Sequence, residues 1–451
     1  MRNAAFCITG LALQGLSMSL MAQTDKPNIV IIMTDQQRAD LCGREGFPLE
    51  VTPFVDRLAQ ENVWFNKAYT VMPASSPARC SMFTGRFPSA THVRTNHNIP
   101  DISYQQDLVG VLKENGYKTA LVGKNHAYLK PADLDFWSEY GHWGKNKKTT
   151  PEEKETARFL NQKARGQWLE PSPIPVEEQH PAKIVNETLS WIESQKENPF
   201  FVWVSFPEPH NPYQVCEPYY SMFSPDKLPV LKTSRKDLEK KGEKYRILAE
   251  LEDASCPNLE QDLPRIRANY IGMIRLIDDQ IKRLIESLKA SGQFENTIFV
   301  LLGDHGKLVG SPDCEIPQSY NHVPLMIYGK GIKPEIRQEP GGQTDVAPTL
   351  LGLLNMSYTQ NDFGINLLTE QRPYVYFSAD NLIAATDTTH LYIYSPHDRQ
   401  EFKYKKQGNA LQLVTGEDST FYVMKKYCFS TLQSAEYLVK EHKTVNKANG
   451  Q

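Results

Sequence analysis

The sequence predicts an α/β fold in which helices flank a mainly parallel central sheet, followed by a small C-terminal antiparallel β subdomain with a helix. Two observations support the α/β core. Short β-branched runs without polar alternation recur along the chain, and such runs are typical of strands that are buried on both faces. Segments with apolar residues at three- and four-residue spacing lie between them, and strands that alternate with helices form mainly parallel sheets.

The elements follow in order along the chain. The predicted core strands lie within 29–33, 118–123, 200–206, 297–306 and 324–329, and the predicted helices are 52–62, 107–116, 184–196 and 267–292. Residues 130–182 have weak periodicity and are rich in Pro, Trp, Lys and Glu, which indicates an insertion over the sheet's edge or the active site. Short aromatic strand-like pieces and a helix predict the C-terminal subdomain, at 374–379, 390–396, 401–407, 410–416 and 431–442.

Length, charge and composition narrow the class of protein. With 451 residues and a formal net charge of −3, we expect one large domain plus a satellite, and neither nucleic acid nor an anionic membrane as a partner. Residues 1–22 predict a signal peptide, because Arg2 precedes an apolar run and Ala22 offers a small residue for cleavage. That run is short and interrupted, which disfavours a stable membrane span. We therefore expect an exported protein, periplasmic or at the cell surface of a Gram-negative bacterium, with domains at 23–369 and 370–451.

Seven cysteines are present, and Cys7 would leave with the signal peptide. The other six lack the close paired spacing of a zinc site; they are Cys42, Cys80, Cys216, Cys256, Cys314 and Cys428. Disulfides and free buried thiols both remain open, because the sequence does not choose among the connectivities.

Polar residues at two strand ends predict a metal site. One strand runs into Asp35-Gln36, and another runs into Asp304-His305. In parallel sheets ligands bind beyond the carboxyl ends of the strands, and hard divalent cations prefer carboxylate and amide oxygens and tolerate a histidine. Each pair alone also fits an ordinary turn after a strand.

Histidines and lysines follow strands at the same edge. Lys124 and His126 come after the strand 118–123, His210 follows 200–206, and Lys307 follows Asp304. Taken singly, such residues are most often structural or solvated. Together they offer cationic donors for an anionic substrate and a proton shuttle, so the residues alone predict metal-assisted hydrolysis of an anionic ester.

The stretch "SSPARCSMFTGR" (75–86) links this chemistry to a family. Taken alone, Ser76-Pro77 predicts an N-cap followed by a helix that begins at Pro77. The whole stretch resembles the sulfatase signature, in which Cys or Ser, any residue, Pro, a small residue and Arg precede a helix ending in Thr-Gly-Arg. Five further segments are similar to sulfatase motifs in the same order: "PNIVIIMTDQQR", "VGKNH", "PHNPY", "GDHG" and "TDVAPTLLGLL". The resemblance implies an alkaline phosphatase-like core, which agrees with the fold predicted above.

The resemblance also implies catalytic roles. Ser75 would be oxidised to formylglycine, whose hydrate is the nucleophile, by an anaerobic-type radical maturation enzyme. Arg79 would hold the hydrate, and Lys124 and Lys307 would bind the sulfate. His210 would protonate the leaving oxygen, and His126 would help to expel sulfate.

A calcium ion and a sulfated saccharide complete the implied site. The ligands of the single calcium ion would be Asp35, Gln36, Ser75, Asp304 and His305. Family members often contact substrate just after the signature helix, which makes Arg94, Asn96 and His97 candidates here, and His322 could also line the site.

Three functions stay open at this point. The first is an exported sulfatase that acts on a glycosaminoglycan or another host or algal sulfated glycan. The second is a phosphodiesterase or phosphonate monoester hydrolase on the same fold. The third is a glycan-binding pseudoenzyme in which Ser75 is never oxidised, and the intact set of acidic, histidine and lysine residues disfavours it.

Overall fold

A computed structural model describes residues 26–147, 150–161, 168–195, 198–230, 250–251, 253–254, 257–306, 321–357, 363–379, 382–396, 399–407, 410–416 and 418–448. The predicted signal peptide, Lys307, Cys256 and Cys314 lie outside these residues. Four cysteines within them are free buried thiols, namely Cys42, Cys80, Cys216 and Cys428.

The described part of the chain contains sixteen strands. They are β1 (Asn28–Thr34), β2 (Val63–Phe65), β3 (Ala68–Tyr69), β4 (Lys118–Gly123), β5 (Phe136–Gly141), β6 (Gly144–Lys145), β7 (Phe200–Phe206), β8 (Thr297–Gly303), β9 (Leu325–Tyr328), β10 (Glu335–Arg337), β11 (Gly341–Gly342), β12 (Val375–Ala379), β13 (Leu382–Thr386), β14 (His390–Ser395), β15 (Gln400–Gln407) and β16 (Ala410–Leu413). Nine of them form the central sheet in the order β10-β2-β9-β8-β1-β7-β4-β5-β6. Pairing is mostly parallel, with β9 and β6 antiparallel to their neighbours.

Ten α-helices within the described residues connect and cover the strands. They are α1 (Pro53–Leu58), α2 (Ser75–Thr84), α3 (Pro88–Thr91), α4 (Leu108–Glu114), α5 (Pro151–Asn161), α6 (His180–Glu193), α7 (Tyr219–Met222), α8 (Leu259–Ala290), α9 (Val346–Leu353) and α10 (Ser419–Ala448). None of the described helices combines the length and the hydropathy that a bilayer-spanning segment requires.

Strand β1 lies at the centre of the sheet and is buried along its whole length. Its unbroken apolar run suits this position, because its side chains alternate between two apolar layers. Ile29, Ile31 and Met33 pack into one layer, which includes residues of α2, α4 and α9. Val30 and Ile32 pack into the other, which includes residues of α6 and α8. The sheet is therefore the middle of three layers.

The register of the strands determines where the polar residues meet. Thr34 of β1 lies opposite Phe206 of β7 and Gly303 of β8, and Gly123 of β4 lies opposite Ser205 of β7. The residues that follow these four strands consequently emerge at one edge of the sheet, as expected for parallel strands.

The segment 130–182 both extends the sheet and reaches the site edge. Strand β5 pairs in parallel with β4, and β6 returns antiparallel to β5. The turn between β5 and β6 contains His142 and Trp143.

A five-stranded antiparallel sheet, β12 to β16, follows in the C-terminal part. It packs with α10 against residues of the core, including Met72 and Phe87. Two details differ from the sequence prediction: "LIAAT" forms the additional strand β13, and α10 begins at Ser419 rather than at residue 431. The domain boundary at residue 370 remains a prediction.

Candidate active site

A buried acidic cluster lies where β1 and β8 end. Ligand atoms of Asp35, Asp304 and His305 all lie within 4.8 Å of one another. The backbone of Gln36 has a φ of 64°, and its N–H donates to Asp304 Oδ1 at 2.9 Å. Gln36 Oε1 is buried and has no hydrogen-bond partner among the described residues. Two carboxylates and an imidazole, with a buried, unpartnered amide oxygen on the residue after Asp35, are a donor set that fits a hard divalent cation.

Ser75 is the first residue of α2 and faces this cluster. Its Oγ lies 3.3 Å from His305 Nε2 and 3.5 Å from Asp35 Oδ1. Lys124 Nζ lies 3.3 Å from the same hydroxyl. The serine at the start of the signature therefore shares one buried space with the candidate metal ligands.

The predicted role of Ser76 as an N-cap is wrong. Helix α2 begins at Ser75, with Ala74 at the N-cap position, so Ser76 lies inside the first turn. Its hydroxyl has no partner among the described residues, and its N–H donates to Asn96 Oδ1 at 3.0 Å. Asn96, which the resemblance suggested as a substrate contact, thus satisfies one of the backbone donors that every helix N-terminus leaves open.

Arg79 lies one turn further along α2 and is completely buried. Its Nε and one terminal nitrogen donate to Asp304 Oδ2 at 3.1 and 3.0 Å. The other terminal nitrogen donates to Ser205 Oγ at 2.7 Å and to the Lys124 carbonyl at 3.0 Å. Arg79 therefore ties α2 to the ends of β4, β7 and β8, and it neutralises part of the acidic cluster.

Lys124 is the cation closest to Ser75 among the described contacts. Its ammonium is hydrogen-bonded to Asp35 Oδ2, and it approaches His142 Nε2 at 3.2 Å. Burial alone would raise the pKa of Asp35, but Lys124, His210 and Arg79 together hold that pKa well below its ordinary value. Asp35 is therefore a carboxylate even though it is fully buried.

Two predicted histidines complete the cluster. His126 has a φ of 47°, and burial beside Lys124 lowers its pKa to about 3. Burial lowers the pKa of His210 to about 4, although Asp35 partly opposes this shift. His210 Nδ1 donates to the Asn211 carbonyl at 2.7 Å, so the neutral ring has its lone pair on Nε2, and Nε2 carries a proton toward the site only when the ring is protonated.

His142 of the segment 130–182 is not among the site residues predicted from the sequence. Its ring is stacked on His210 with centroids 3.6 Å apart and an angle of 18° between the planes. Its Nε2 also lies 4.0 Å from Asp35 Oδ2. No motif contains this residue, because its position depends on β5 joining the sheet beside β4.

Other predicted residues lie apart from the cluster. His322 Nε2 contacts the Asn66 carbonyl at 2.9 Å, and its ring lies against Tyr69, so its described contacts are those of a packed residue. Arg94 and His97 are exposed on the loop after α3. Arg94 also lines a cavity of about 550 Å³ with Met72 and Tyr376, between the core and the C-terminal sheet.

Fold and site together define a hydrolase of anionic esters with an alkaline phosphatase-like architecture. A sulfatase family model matches residues 27–356, so the chain belongs to the sulfatase family, and its arylsulfatase relatives support a sulfuric ester hydrolase. This confirms the family, the fold and the enzyme class predicted from the sequence.

Three comparisons illustrate the relationship. An arylsulfatase of Clostridium perfringens is 29% identical over 388 residues, which cover 77% of this chain and 79% of the relative. An ulvan-active sulfatase of Formosa agariphila is 29% identical over 360 residues, covering 73% of this chain and 62% of the relative. The solved structure of a phosphonate monoester hydrolase from Silicibacter pomeroyi has a TM-score of 0.75 and 18% identity, covering 91% of this chain and 95% of that chain. At that identity the structural likeness concerns the fold alone.

Proposed function

We propose that this protein hydrolyses sulfate esters on carbohydrate, with a formylglycine made from Ser75 and one bound calcium ion. The observation that carries the proposal is the position of Ser75. Its hydroxyl lies 3.3 to 3.5 Å from His305, Lys124 and Asp35, at the start of the helix that contains the signature. A nucleophile at this position would face both the cation ligands and a sulfate-binding ammonium.

The proposed calcium ligands are Asp35, Gln36, Asp304, His305 and residue 75. Two carboxylates and the unpartnered Gln36 oxygen supply the hard donors that calcium prefers. When bound, the cation would act as a Lewis acid that polarises the sulfate and offsets its charge. Arg79 would keep Asp304 in place through its two-nitrogen contact with that carboxylate.

The remaining residues would bind the sulfate and move protons. Oxidation of Ser75 would supply an aldehyde hydrate as the nucleophile. Lys124, already beside Ser75 Oγ, would hold a sulfate oxygen in place. His210 would give its Nε2 proton to the leaving oxygen, and the negative charge of a bound sulfate would favour the protonated ring. His126 would take a proton when sulfate is released, and Lys307 stays a second candidate for sulfate binding outside the described residues.

A carbohydrate substrate is supported by the relative named as an ulvan-active sulfatase and by the exposed loop after α3. Arg94 on that loop lines a cavity large enough for a sugar ring, close in sequence to Asn96, which contacts the signature helix.

We propose export from the signal-like N-terminus, and maturation by a radical enzyme that recognises the segment around Ser75.

The test begins with the state of residue 75. The protein is purified from its native host, or after co-expression with a radical maturation enzyme, and the peptide that contains Ser75 is analysed by mass spectrometry. Loss of two hydrogens is expected. A fully unmodified serine in active protein would refute the formylglycine assignment, and an unmodified, inactive protein that binds glycans would favour the pseudoenzyme.

Substrate class is tested separately. The matured protein is assayed on defined sulfated saccharides, with an aryl phosphonate monoester and a bis-aryl phosphodiester as controls. The kcat/KM for release of inorganic sulfate from the saccharides is expected to exceed the kcat/KM for hydrolysis of either phosphorus ester. Faster hydrolysis of the phosphorus esters would instead support the phosphonate hydrolase, which has the same fold.

A further inference from the structure

His142 lines a small cavity whose walls combine polar and apolar side chains. His142, His180, Glu208, His210 and Gln214 all contribute to its walls. The volume open to the centre of a water molecule is about 10 Å³. That is room for about one water.

Four side-chain atoms of the residues that line this cavity are buried and have no hydrogen-bond partner among the described residues. They are His142 Nδ1, His180 Nε2, Glu208 Oε2 and Gln214 Oε1. His180, Glu208 and Gln214 are each more than nine-tenths buried. Buried polar groups are almost always hydrogen-bonded, because leaving one unpaired costs the free energy of its desolvation. Four such atoms on residues that line one small space point to a common ligand.

The hydrogen-bond partners outside the cavity determine what each atom offers. Lys124 Nζ can only donate, so His142 Nε2 accepts from it at 3.2 Å, and the ring proton is on Nδ1. His180 Nδ1 donates to Glu208 Oε1 at 2.9 Å, which leaves a lone pair on His180 Nε2.

Gln214 is oriented in the same way. Its Nε2 donates to Gln179 Oε1 at 3.0 Å, and Gln179 Nε2 donates in turn to the Ile174 carbonyl at 2.8 Å. The amide oxygen of Gln214 is thereby left for the cavity. The four unpartnered atoms are therefore one donor, on His142, and three acceptors.

We propose that one ordered water molecule occupies this cavity and makes His142 a positioning residue for Lys124 and His210. The water accepts from His142 Nδ1–H and donates to two of the three acceptors, which uses both of its protons. With its proton held on Nδ1, His142 presents a fixed acceptor to Lys124 and a fixed ring face to His210. The His180–Glu208 pair and Gln214 thus influence the site only through the water and the ring of His142.

The catalytic consequence rests on the proposed function, but the water and the tautomer do not. A crystal structure of the full mature protein tests the water directly. Density for one water within hydrogen-bond distance of His142 Nδ1 and two of the acceptors is expected. A metal ion with anomalous signal, or a cavity without ordered density, would overturn the proposal.

The tautomer is tested in solution with 15N-histidine-labelled protein. Long-range 1H–15N spectra distinguish a protonated from an unprotonated ring nitrogen, and assignment uses the His142→Gln variant. A proton on Nδ1 of His142 is expected, and a proton on Nε2 would contradict the geometry proposed here.

The positioning role is tested by kinetics with two variants at one position. His142→Leu removes the acceptor for Lys124, and a fall in kcat of about 10- to 100-fold is expected, typical of losing a hydrogen bond to a charged group, with little change in KM. His142→Gln restores an acceptor near the position of Nε2 and should recover most of the lost rate. Equal losses in both variants would reduce His142 to a packing residue.

Gln214→Leu distinguishes coupling through the water from a local effect. Alone it should lower kcat less than His142→Leu does, because it removes only one acceptor of the water. The double variant, His142→Leu with Gln214→Leu, should be no slower than His142→Leu, because both changes act through the same hydrogen bond from Lys124 to His142. Additive losses would refute the coupling. A wild-type protein without sulfatase activity would refute the proposed function, whereas the crystallographic and NMR results would still decide the cavity proposal.

Discussion

The hydroxyl of Tyr270 offers a way to perturb the loop after β1, which contains the proposed calcium ligands Asp35 and Gln36, without replacing either ligand. Tyr270 lies in α8 and is fully buried. Its hydroxyl donates to the Gln36 carbonyl and accepts from the Arg38 N–H at 3.3 Å. These two bonds hold the loop that follows β1, in which Gln36 has a φ of 64°. Tyr270→Phe deletes both bonds and leaves the ring in place.

The expected loss of stability follows from these contacts. Each buried backbone group that loses its partner costs about 1–3 kcal/mol, and the second bond is long, so we expect a total of about 2–4 kcal/mol. If calcium binds as proposed, the free energy required to order the loop should weaken its binding, by about tenfold for each 1.4 kcal/mol.

Tyr117→Phe is the matched control. The Tyr117 hydroxyl donates to the Pro27 carbonyl at 3.0 Å, just before β1 and thus at the opposite end of the strand from Gln36. Urea unfolding should report a loss of stability for both variants. Calcium titration, by calorimetry or by the rise in melting temperature, should report weaker binding for Tyr270→Phe alone. Equal calcium affinity in the two variants would refute the reasoning.

Three further predictions concern the nucleophile, the acid and one buried carboxyl. Ser75→Ala should abolish turnover while changing the free energy of unfolding by no more than about 1 kcal/mol, because the contacts of the Ser75 hydroxyl are long. Activity assays and unfolding compare this variant with Ser81→Ala in the same helix. Activity at the wild-type level in Ser75→Ala would exclude Ser75 as the nucleophile. His210→Gln should slow the hydrolysis of sulfate esters with poor leaving groups more than the hydrolysis of nitrophenyl sulfate. An equal loss of rate for both kinds of ester would argue against His210 as the general acid. Asp278 accepts from the Phe54 and Val55 N–H groups at 2.9 Å, and burial raises its pKa from 3.8 to about 7. Folding therefore takes up a proton, and the stability this supplies is present at low pH and lost as pH rises through about 7. Urea unfolding between pH 3.8 and about 7 should show a free energy of unfolding that depends less on pH for Asp278→Asn than for the wild type. An unchanged pH dependence would contradict the assigned pKa.

The parts of the fold that could be predicted are those in which local pattern and burial agree. The runs at 29–33, 118–123 and 200–206 are apolar on both faces, which only a central position in a sheet accommodates. Asp35 follows the run 29–33, and Asp304 follows the run at 297–303. Once these two strands are parallel, both residues must emerge at the same edge, so the acidic cluster could be located from the sequence.

The parts that could not be predicted depend on tertiary contacts. His142 reaches the cluster because β5 pairs with β4, and neither its spacing nor its neighbours in sequence reveal that pairing. The start of α2 was misplaced because Asn96, twenty residues away in sequence, satisfies the Ser76 N–H in place of a local cap. His322 resembled a site residue, but its nitrogen is used by a carbonyl of the neighbouring Asn66.

The central position of β1 has a consequence for timing. This first strand can pair only with β7 and β8, whose residues come from 200–206 and 297–303, so the sheet cannot close until most of the chain has been made. Contacts between such distant segments form late in folding. Helix α2, from Ser75 to Thr84, is entirely buried in the closed structure. An enzyme that oxidised Ser75, as proposed, would therefore have to reach it in the interval before closure, and the order of the strands along the chain keeps that interval long.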